Sequence, residues 1–166
     1  TMGGGYGVAG PCRYKIASET TLFAMPEVAI GFFPDIGSAY YLNKGPGETA
    51  TYLGVTGNRI KASDMLFCDL ADYYIPTKDQ DDLIQALKGA AGESDPDKAI
   101  KAVLDVRHRN PDEKGVVEQH LQEINSAFSA RDIQDVVESL RESGVEWCME
   151  QADVIESRSP TSLKVS

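Results

Sequence analysis

The stretch FAMPEVAIGFFPDIG, residues 23–37, places two carboxylates in an unusually apolar part of the sequence. Glu27 follows a short β-prone run and a proline, and Asp35 follows a second proline eight residues later. A carboxyl group removed from water has a raised pKa, which suits general acid or base catalysis. The stretch therefore predicts a site built on Glu27 and Asp35. Taken alone, the residues leave open that Asp35 is a helix N-cap and that Glu27 is a surface residue at a strand end.

A glycine cluster upstream supplies groups that complement these acids. Gly3, Gly4 and Gly5 are consecutive, and Gly7 follows closely. Amide groups without side chains can approach a ligand closely, and those at a helix start have no partner within the helix. Such N–H groups can stabilise an oxyanion that forms on a carbonyl. A turn, or a close contact between a helix and a sheet, explains the same glycines equally well.

The sequence divides into two regions of different character. Residues 1–76 contain β-prone runs at 13–17, 21–25 and 71–76, separated by short helical patterns. This alternation predicts an α/β arrangement around a sheet, with Asp35 capping a helix over 36–45. Residues 77–166 have an apolar spacing near 3.6 and predict four or five amphipathic helices. We expect both regions to form one domain, since 166 residues suit a single core.

The charge balance argues against some classes of partner. The chain carries 26 acidic and 16 basic residues, a net charge of −10. Such a field repels phosphate backbones, so we expect no nucleic-acid binding. No apolar run is long enough to span a membrane, and no targeting segment is visible within this sequence.

The cysteines and histidines predict neither a metal site nor a hydrolase triad. Cys12, Cys68 and Cys148 are widely spaced and odd in number, which favours buried free thiols in a reducing compartment. His108 and His120 lie on acidic helical segments without a ligand partner at the required spacing. We expect both histidines to be solvated surface residues.

Three segments resemble the crotonase (enoyl-CoA hydratase/isomerase) superfamily. They are GGGYG (3–7), SETTLFAMPEVAIGFFPDIGSAYYL (18–42) and LGVTGNRIKASDMLFCDLADYYIP (53–76). Within the superfamily they are most similar to the 3-hydroxyisobutyryl-CoA hydrolases, and the likeness resumes at SPTSLKVS (159–166). The resemblance implies a partial crotonase-like ββα spiral core over residues 1–76, followed by a mainly helical region over 77–166 of the same domain.

The resemblance also implies a role for each site residue. Gly4 would supply an oxyanion-hole N–H, with Gly3 and Gly5 shaping the substrate-binding loop around it. Glu27 would attack the thioester carbonyl or activate water. Asp35 would position the substrate hydroxyl or water, or transfer a proton. No metal and no separate cofactor is implied, because coenzyme A is part of the substrate.

Position 7 separates branches of the superfamily. Hydratases usually have a second catalytic Glu there, whereas this chain has Gly7. Together with Asp35, Gly7 implies hydrolysis of a short-chain 3-hydroxyacyl-CoA, in first place 3-hydroxyisobutyryl-CoA in valine degradation. The alternatives are a hydratase or isomerase activity, and a non-catalytic assembly protein built on the same fold.

The resemblance covers the middle and later part of the superfamily's domain. We therefore expect a fragment that lacks the upstream part, with the second oxyanion donor, and the extreme C-terminal part. Such a chain would be inactive alone unless an N-terminal segment or a homo-oligomer completes the site. The implied compartment is the cytoplasm of a bacterium or the mitochondrial matrix of a eukaryote.

Overall fold

The computed structural model describes residues 1–166. The first region contains the helices α1 (Gly4–Ala9), α2 (Ser38–Leu42), α3 (Thr49–Thr56) and α4 (Ala62–Phe67), a 3₁₀ helix (Pro26–Ile30), and the strands β1 (Ile16–Ala17), β2 (Leu22–Phe23), β3 (Ile60–Lys61) and β4 (Tyr73–Tyr74). After a 3₁₀ turn (Thr77–Asp79), the second region is helical: α5 (Gln80–Ala90), α6 (Pro96–Arg107), α7 (Val116–Gln119), α8 (Leu121–Phe128), α9 (Ile133–Glu142), α10 (Glu146–Glu156) and α11 (Pro160–Val165).

The strands form two short ladders. β1 runs parallel to β4, with Ile16 opposite Tyr73, and β2 runs antiparallel to β3, with Phe23 opposite Ile60. Each strand has only two residues, fewer than the β-prone runs of the sequence. A β-prone segment forms a hydrogen-bonded strand only where another strand lies beside it. Each of these strands has one neighbouring strand. The predicted α/β class is confirmed, as a mainly helical structure with a partial sheet.

The expected cap of the helix after Asp35 is wrong. α2 begins at Ser38, its N-cap is Gly37, and no side chain caps it. Ile36 and Gly37 both adopt left-handed backbone conformations, with φ of 49° and 79°. The chain therefore makes a turn before the helix, and the Asp35 carbonyl accepts the Ser38 N–H at 2.8 Å. The Asp35 carboxylate remains available for another role.

One hydrophobic core joins the two regions. It contains 25 buried residues drawn from both, and α3 lies against α8 and α10 at its centre. The ring of Tyr52 on α3 meets Phe128 edge-on, with centroids 5.4 Å apart, and lies 5.8 Å from Trp147. A smaller cluster of four residues, Tyr73, Ile75, Leu83 and Leu104, lies under α5 and α6.

Three sequence-based expectations about single residues need correction. Cys12 is exposed, whereas Cys68 and Cys148 are buried, and all three are free thiols. His108 and His120 are half-buried rather than solvated. The Nδ1 of His108 accepts the Tyr74 N–H at 3.0 Å, and His120 stacks on an indole ring at 4.1 Å. None of the helices has both the length and the apolar character needed to cross a membrane.

Gly57, the glycine that ends α3, lies very close to the backbone of the segment before Glu27. Gly57 has φ of 66°, and a Cβ there would lie 3.2 Å from the Met25 carbonyl oxygen and from Pro26 Cα. We expect Gly57→Ala to destabilise the fold by about 1–3 kcal/mol, because backbone atoms cannot move aside and the left-handed conformation is strained. Urea unfolding measures this.

Gly89→Ala is the matched control. Gly89 lies in α5, and a Cβ there would meet no atom within 4 Å. This substitution should stabilise the fold by about 0.5–1 kcal/mol through helix propensity. Equal effects of the two substitutions would contradict the close contact at Gly57.

Candidate active site

The glycine cluster forms the turn into α1. Gly3 has φ of 47° and ψ of −126°, and its N–H donates to the Ala24 carbonyl at 3.0 Å, just beyond β2. The Gly5 N–H donates to the Met2 carbonyl at 3.0 Å. Gly4 opens the helix, so its N–H has no acceptor within α1, and it donates to no other protein group. Of the three glycine amides, the Gly4 amide is therefore the one available to a ligand.

Glu27 lies in the first turn of the 3₁₀ helix that follows β2. Its side chain belongs to a residue only 7% exposed, and the buried Oε2 atom has no hydrogen-bond partner. Burial raises the pKa of the Glu27 carboxyl, its own backbone N–H partly offsets this, and the charge of Asp35 adds to the rise. Glu27 is thus a carboxyl group held largely away from water, with one oxygen, Oε2, that has no hydrogen-bond partner.

Gly3 brings the glycine turn against this carboxyl group. A Cβ on Gly3 would lie 2.5 Å from Glu27 Oε1, so the carboxyl group would have to move from its present position. Position 3 therefore needs glycine for two reasons, its positive φ and the carboxylate beside it. The contact places the free N–H of Gly4, the next residue, in the same neighbourhood as Glu27.

The loop after the 3₁₀ helix carries the second carboxylate, Asp35, whose charge acts on Glu27. Gly31 ends the 3₁₀ helix in a left-handed conformation, and the Phe32 N–H donates to the Glu27 carbonyl at 3.0 Å. Asp35, half-buried, makes no ion pair or hydrogen bond through its carboxylate. Because its charge acts on Glu27, both acids belong to one electrostatic site.

Several residues that hold this site were not singled out in the sequence. Gly57 abuts the turn before Glu27, and the Ser159 N–H donates to the Val28 carbonyl at 3.3 Å. The guanidinium of Arg158 donates to the Thr56 carbonyl at 2.9 Å. Only Gly57 could have been found from sequence, as a glycine after a helical pattern. The other contacts link residues more than 100 positions apart.

The arrangement suits polar chemistry at a carbonyl. An unpaired N–H can donate a hydrogen bond to a developing oxyanion and stabilise its charge. A desolvated carboxyl group near it can act as a base or as a nucleophile. Asp35 adds a second carboxylate that protein groups leave free. No group of three or more His, Cys, Asp or Glu side chains is arranged to hold a metal ion.

The raised pKa of Glu27 has a consequence for stability. A carboxyl group whose folded pKa exceeds its unfolded value of about 4.3 contributes its full stability below that pH and loses it as pH rises through the folded value. Glutamine does not ionise, so Glu27→Gln removes the loss of folding stability that the wild type suffers as pH rises. We expect the variant to melt at a higher temperature than the wild type at pH 7, with the difference vanishing below about pH 4.

Glu19→Gln should behave in the opposite way. The Thr77 N–H donates to the Glu19 carboxylate and lowers its pKa. That stabilisation is present above the unfolded pKa and is lost as pH falls, so this variant should melt lower at neutral pH. Thermal melts from pH 3 to 8 compare the two. A lower melting temperature of Glu27→Gln at pH 7 would show that the Glu27 carboxylate is satisfied in the fold.

Comparison with known proteins places this geometry in a family. The profile of the enoyl-CoA hydratase/isomerase family matches residues 1–166. Two curated relatives named 3-hydroxyisobutyryl-CoA hydrolase, mitochondrial, are 39% identical over 175 residues (Xenopus tropicalis) and 36% identical over 174 residues (Homo sapiens). Both alignments cover 100% of this chain and 44% of the relative, so the chain spans less than half the length of these proteins.

Solved structures agree with the sequence matches. A carnitinyl-CoA dehydratase from Mycobacterium thermoresistibile superposes with a TM-score of 0.88 at 29% identity, over 99% of this chain and 46% of that one. An enoyl-CoA hydratase from Rhodobacter sphaeroides gives 0.83 at 30% identity, over 99% and 44%. With a profile match along its whole length and this crotonase fold, the chain belongs to the enoyl-CoA hydratase/isomerase family.

Proposed function

We propose that the protein hydrolyses the thioester of a short-chain 3-hydroxyacyl-CoA, in first place 3-hydroxyisobutyryl-CoA, and releases coenzyme A and the hydroxy acid. The observation that carries the proposal is the buried Glu27 carboxyl group, whose Oε2 has no partner, packed against Gly3, the neighbour of the residue with the free N–H, Gly4. Relatives at 36–39% identity across the whole chain bear the name of this activity. Coenzyme A arrives as part of the substrate, so the reaction uses no separate cofactor.

The proposed mechanism assigns one step to each group. The Gly4 N–H donates to the thioester oxygen as negative charge develops there. Glu27 attacks the carbonyl carbon and forms an anhydride that water then hydrolyses, which frees the carboxylate again, or it removes a proton from a water that attacks the carbonyl directly. In both routes the C–S bond breaks, the thiolate of coenzyme A leaves and takes up a proton, and water supplies the hydroxyl group of the acid. A raised pKa brings Glu27 closer to neutral pH, where proton transfer is most effective.

Asp35 favours hydrolysis over the runner-up, hydration of a double bond. Adding water to an alkene in two proton transfers calls for two acid–base groups near the double bond, and Gly7 contributes no side chain. Asp35, whose carboxylate has no protein partner, would instead hold the substrate hydroxyl or the water. The likeness to a dehydratase and a hydratase in structure supports the shared CoA-thioester site without deciding the reaction.

The proposal includes completion of the site from outside these residues. An oxyanion can accept more than one hydrogen bond, and the Gly4 N–H supplies only one. Exposed apolar side chains also lie in the segments that form the site: Val8 is 78%, Phe32 44% and Phe33 40% exposed. A further segment of the protein, or a second copy of this chain, would cover them and supply the second donor. In a eukaryote the relatives' names favour a mitochondrial enzyme.

The reaction is tested by comparing two assays on the same protein. We expect release of free thiol from 3-hydroxyisobutyryl-CoA to exceed hydration of crotonyl-CoA. Glu27→Gln should lower kcat of thiol release by about 10²–10⁴-fold, because the amide is neither base nor nucleophile. Glu142→Gln, on the exposed face of α9, should leave the rate unchanged. Hydration that exceeds thiol release would favour the hydratase, and a cellular role that survives Glu27→Gln would favour an assembly protein.

The role of Gly4 is tested by removing its N–H without disturbing the fold. Gly4→Pro deletes the donor, and proline is favoured at the first position of a helix. Gly4→Ala adds a Cβ that would meet no atom within 4 Å and keeps the N–H. We expect the proline variant to lose about 10²–10³-fold in kcat while the alanine variant retains activity. Equal rates in both variants, at unchanged melting temperature, would exclude Gly4 as the oxyanion donor.

A further inference from the structure

Ile36 occupies the space that a side chain at position 7 would need. A Cβ built on Gly7 would lie 2.6 Å from Ile36 Cδ1 and 3.1 Å from Ile36 Cβ. The Cβ of Ile36 is tied to its backbone, so the isoleucine cannot simply rotate away. The absence of a side chain at Gly7 and the presence of Ile36 are therefore one structural feature.

The backbone of Ile36 is held in a conformation that isoleucine rarely adopts. Its φ is 49°, in the left-handed region, where a β-branched side chain is an outlier. The side chain remains 39% exposed, so full burial in the core does not account for the strain. Backbone strain of this kind concentrates at functional sites, and here it sits directly after Asp35.

The position of Ile36 relates it to the acyl group. Gly4 and Gly7 lie three residues apart on α1 and so share one face of the helix. Ile36, in contact with Gly7, is thus about one helical turn from the Gly4 N–H that would hold the carbonyl oxygen. Atoms at that separation from the donor are those next to the carbonyl carbon. The exposed part of Ile36 offers these atoms an apolar surface next to Asp35.

We infer that Ile36 is a specificity-determining residue that contacts the C2 substituent of the acyl group and favours thioesters branched at C2. The inference rests on the proposed hydrolase function and adds to it a residue that selects the substrate. A pocket that accommodates one additional methyl group discriminates by about tenfold or more.

The test compares two substrates that differ by the C2 methyl group, 3-hydroxyisobutyryl-CoA and 3-hydroxypropionyl-CoA. We expect the wild type to have a kcat/KM about tenfold or more higher for the branched substrate. Ile36→Ala should bring this ratio close to one, mainly by slowing the branched substrate. Ile36→Val, which removes only Cδ1, should give an intermediate ratio and guards against misfolding of the alanine variant. Ile84→Ala, an isoleucine 48% exposed on α5, should leave the ratio unchanged.

Two results would overturn the inference while leaving the hydrolase function intact: equal kcat/KM of the wild type for both substrates, or an unchanged ratio in folded Ile36→Ala and Ile36→Val. A wild-type protein that has its site completed as proposed and still releases thiol from neither substrate would instead contradict the proposed function, and the inference with it.

Discussion

The site depends on the contact between the bare backbone of Gly3 and the carboxyl group of Glu27. Any Cβ at Gly3 would come within 2.5 Å of the Glu27 Oε1 atom. This approach fixes the start of α1 against the 3₁₀ helix and leaves the N–H of Gly4 exposed beside a carboxyl group that has no partner. A methyl group at position 3 would displace the Glu27 carboxyl group from its present place against the glycine turn.

Such a site is unfavourable for folding, and the rest of the molecule offsets it. A buried carboxyl group without a partner and an isoleucine with positive φ both destabilise the native state. The compensation comes from the core shared by the two regions, which places Gly57 and Ser159 against the segment carrying Glu27. The helical region therefore matters to the site although it contributes none of its proposed reacting groups.

The sequence predicted the elements that depend on local chemistry and missed those that depend on distant contacts. The α/β class follows from the alternation of short β-prone runs and helical patterns. Asp35 as a cap was wrong, because nothing in the local pattern shows that Ile36 adopts a left-handed turn. The strands came out shorter than their β-prone runs, because pairing needs a neighbour that only the tertiary fold provides. For the same reason, the half-buried position of His120 could not be predicted, because it depends on stacking against Trp147, 27 positions later.

The contact of Gly7 with Ile36 links reaction type to substrate choice. A carboxylate at position 7 needs volume that Ile36 now fills, so a second acid and an apolar wall exclude each other in this backbone. Converting the site from one chemistry to the other would take at least two coordinated substitutions, one on α1 and one in the loop after Asp35. Either change alone leaves a steric clash or an empty space beside the reacting carbonyl. The proposed preference for branched acyl groups therefore rests on the same side chain that limits the space at position 7.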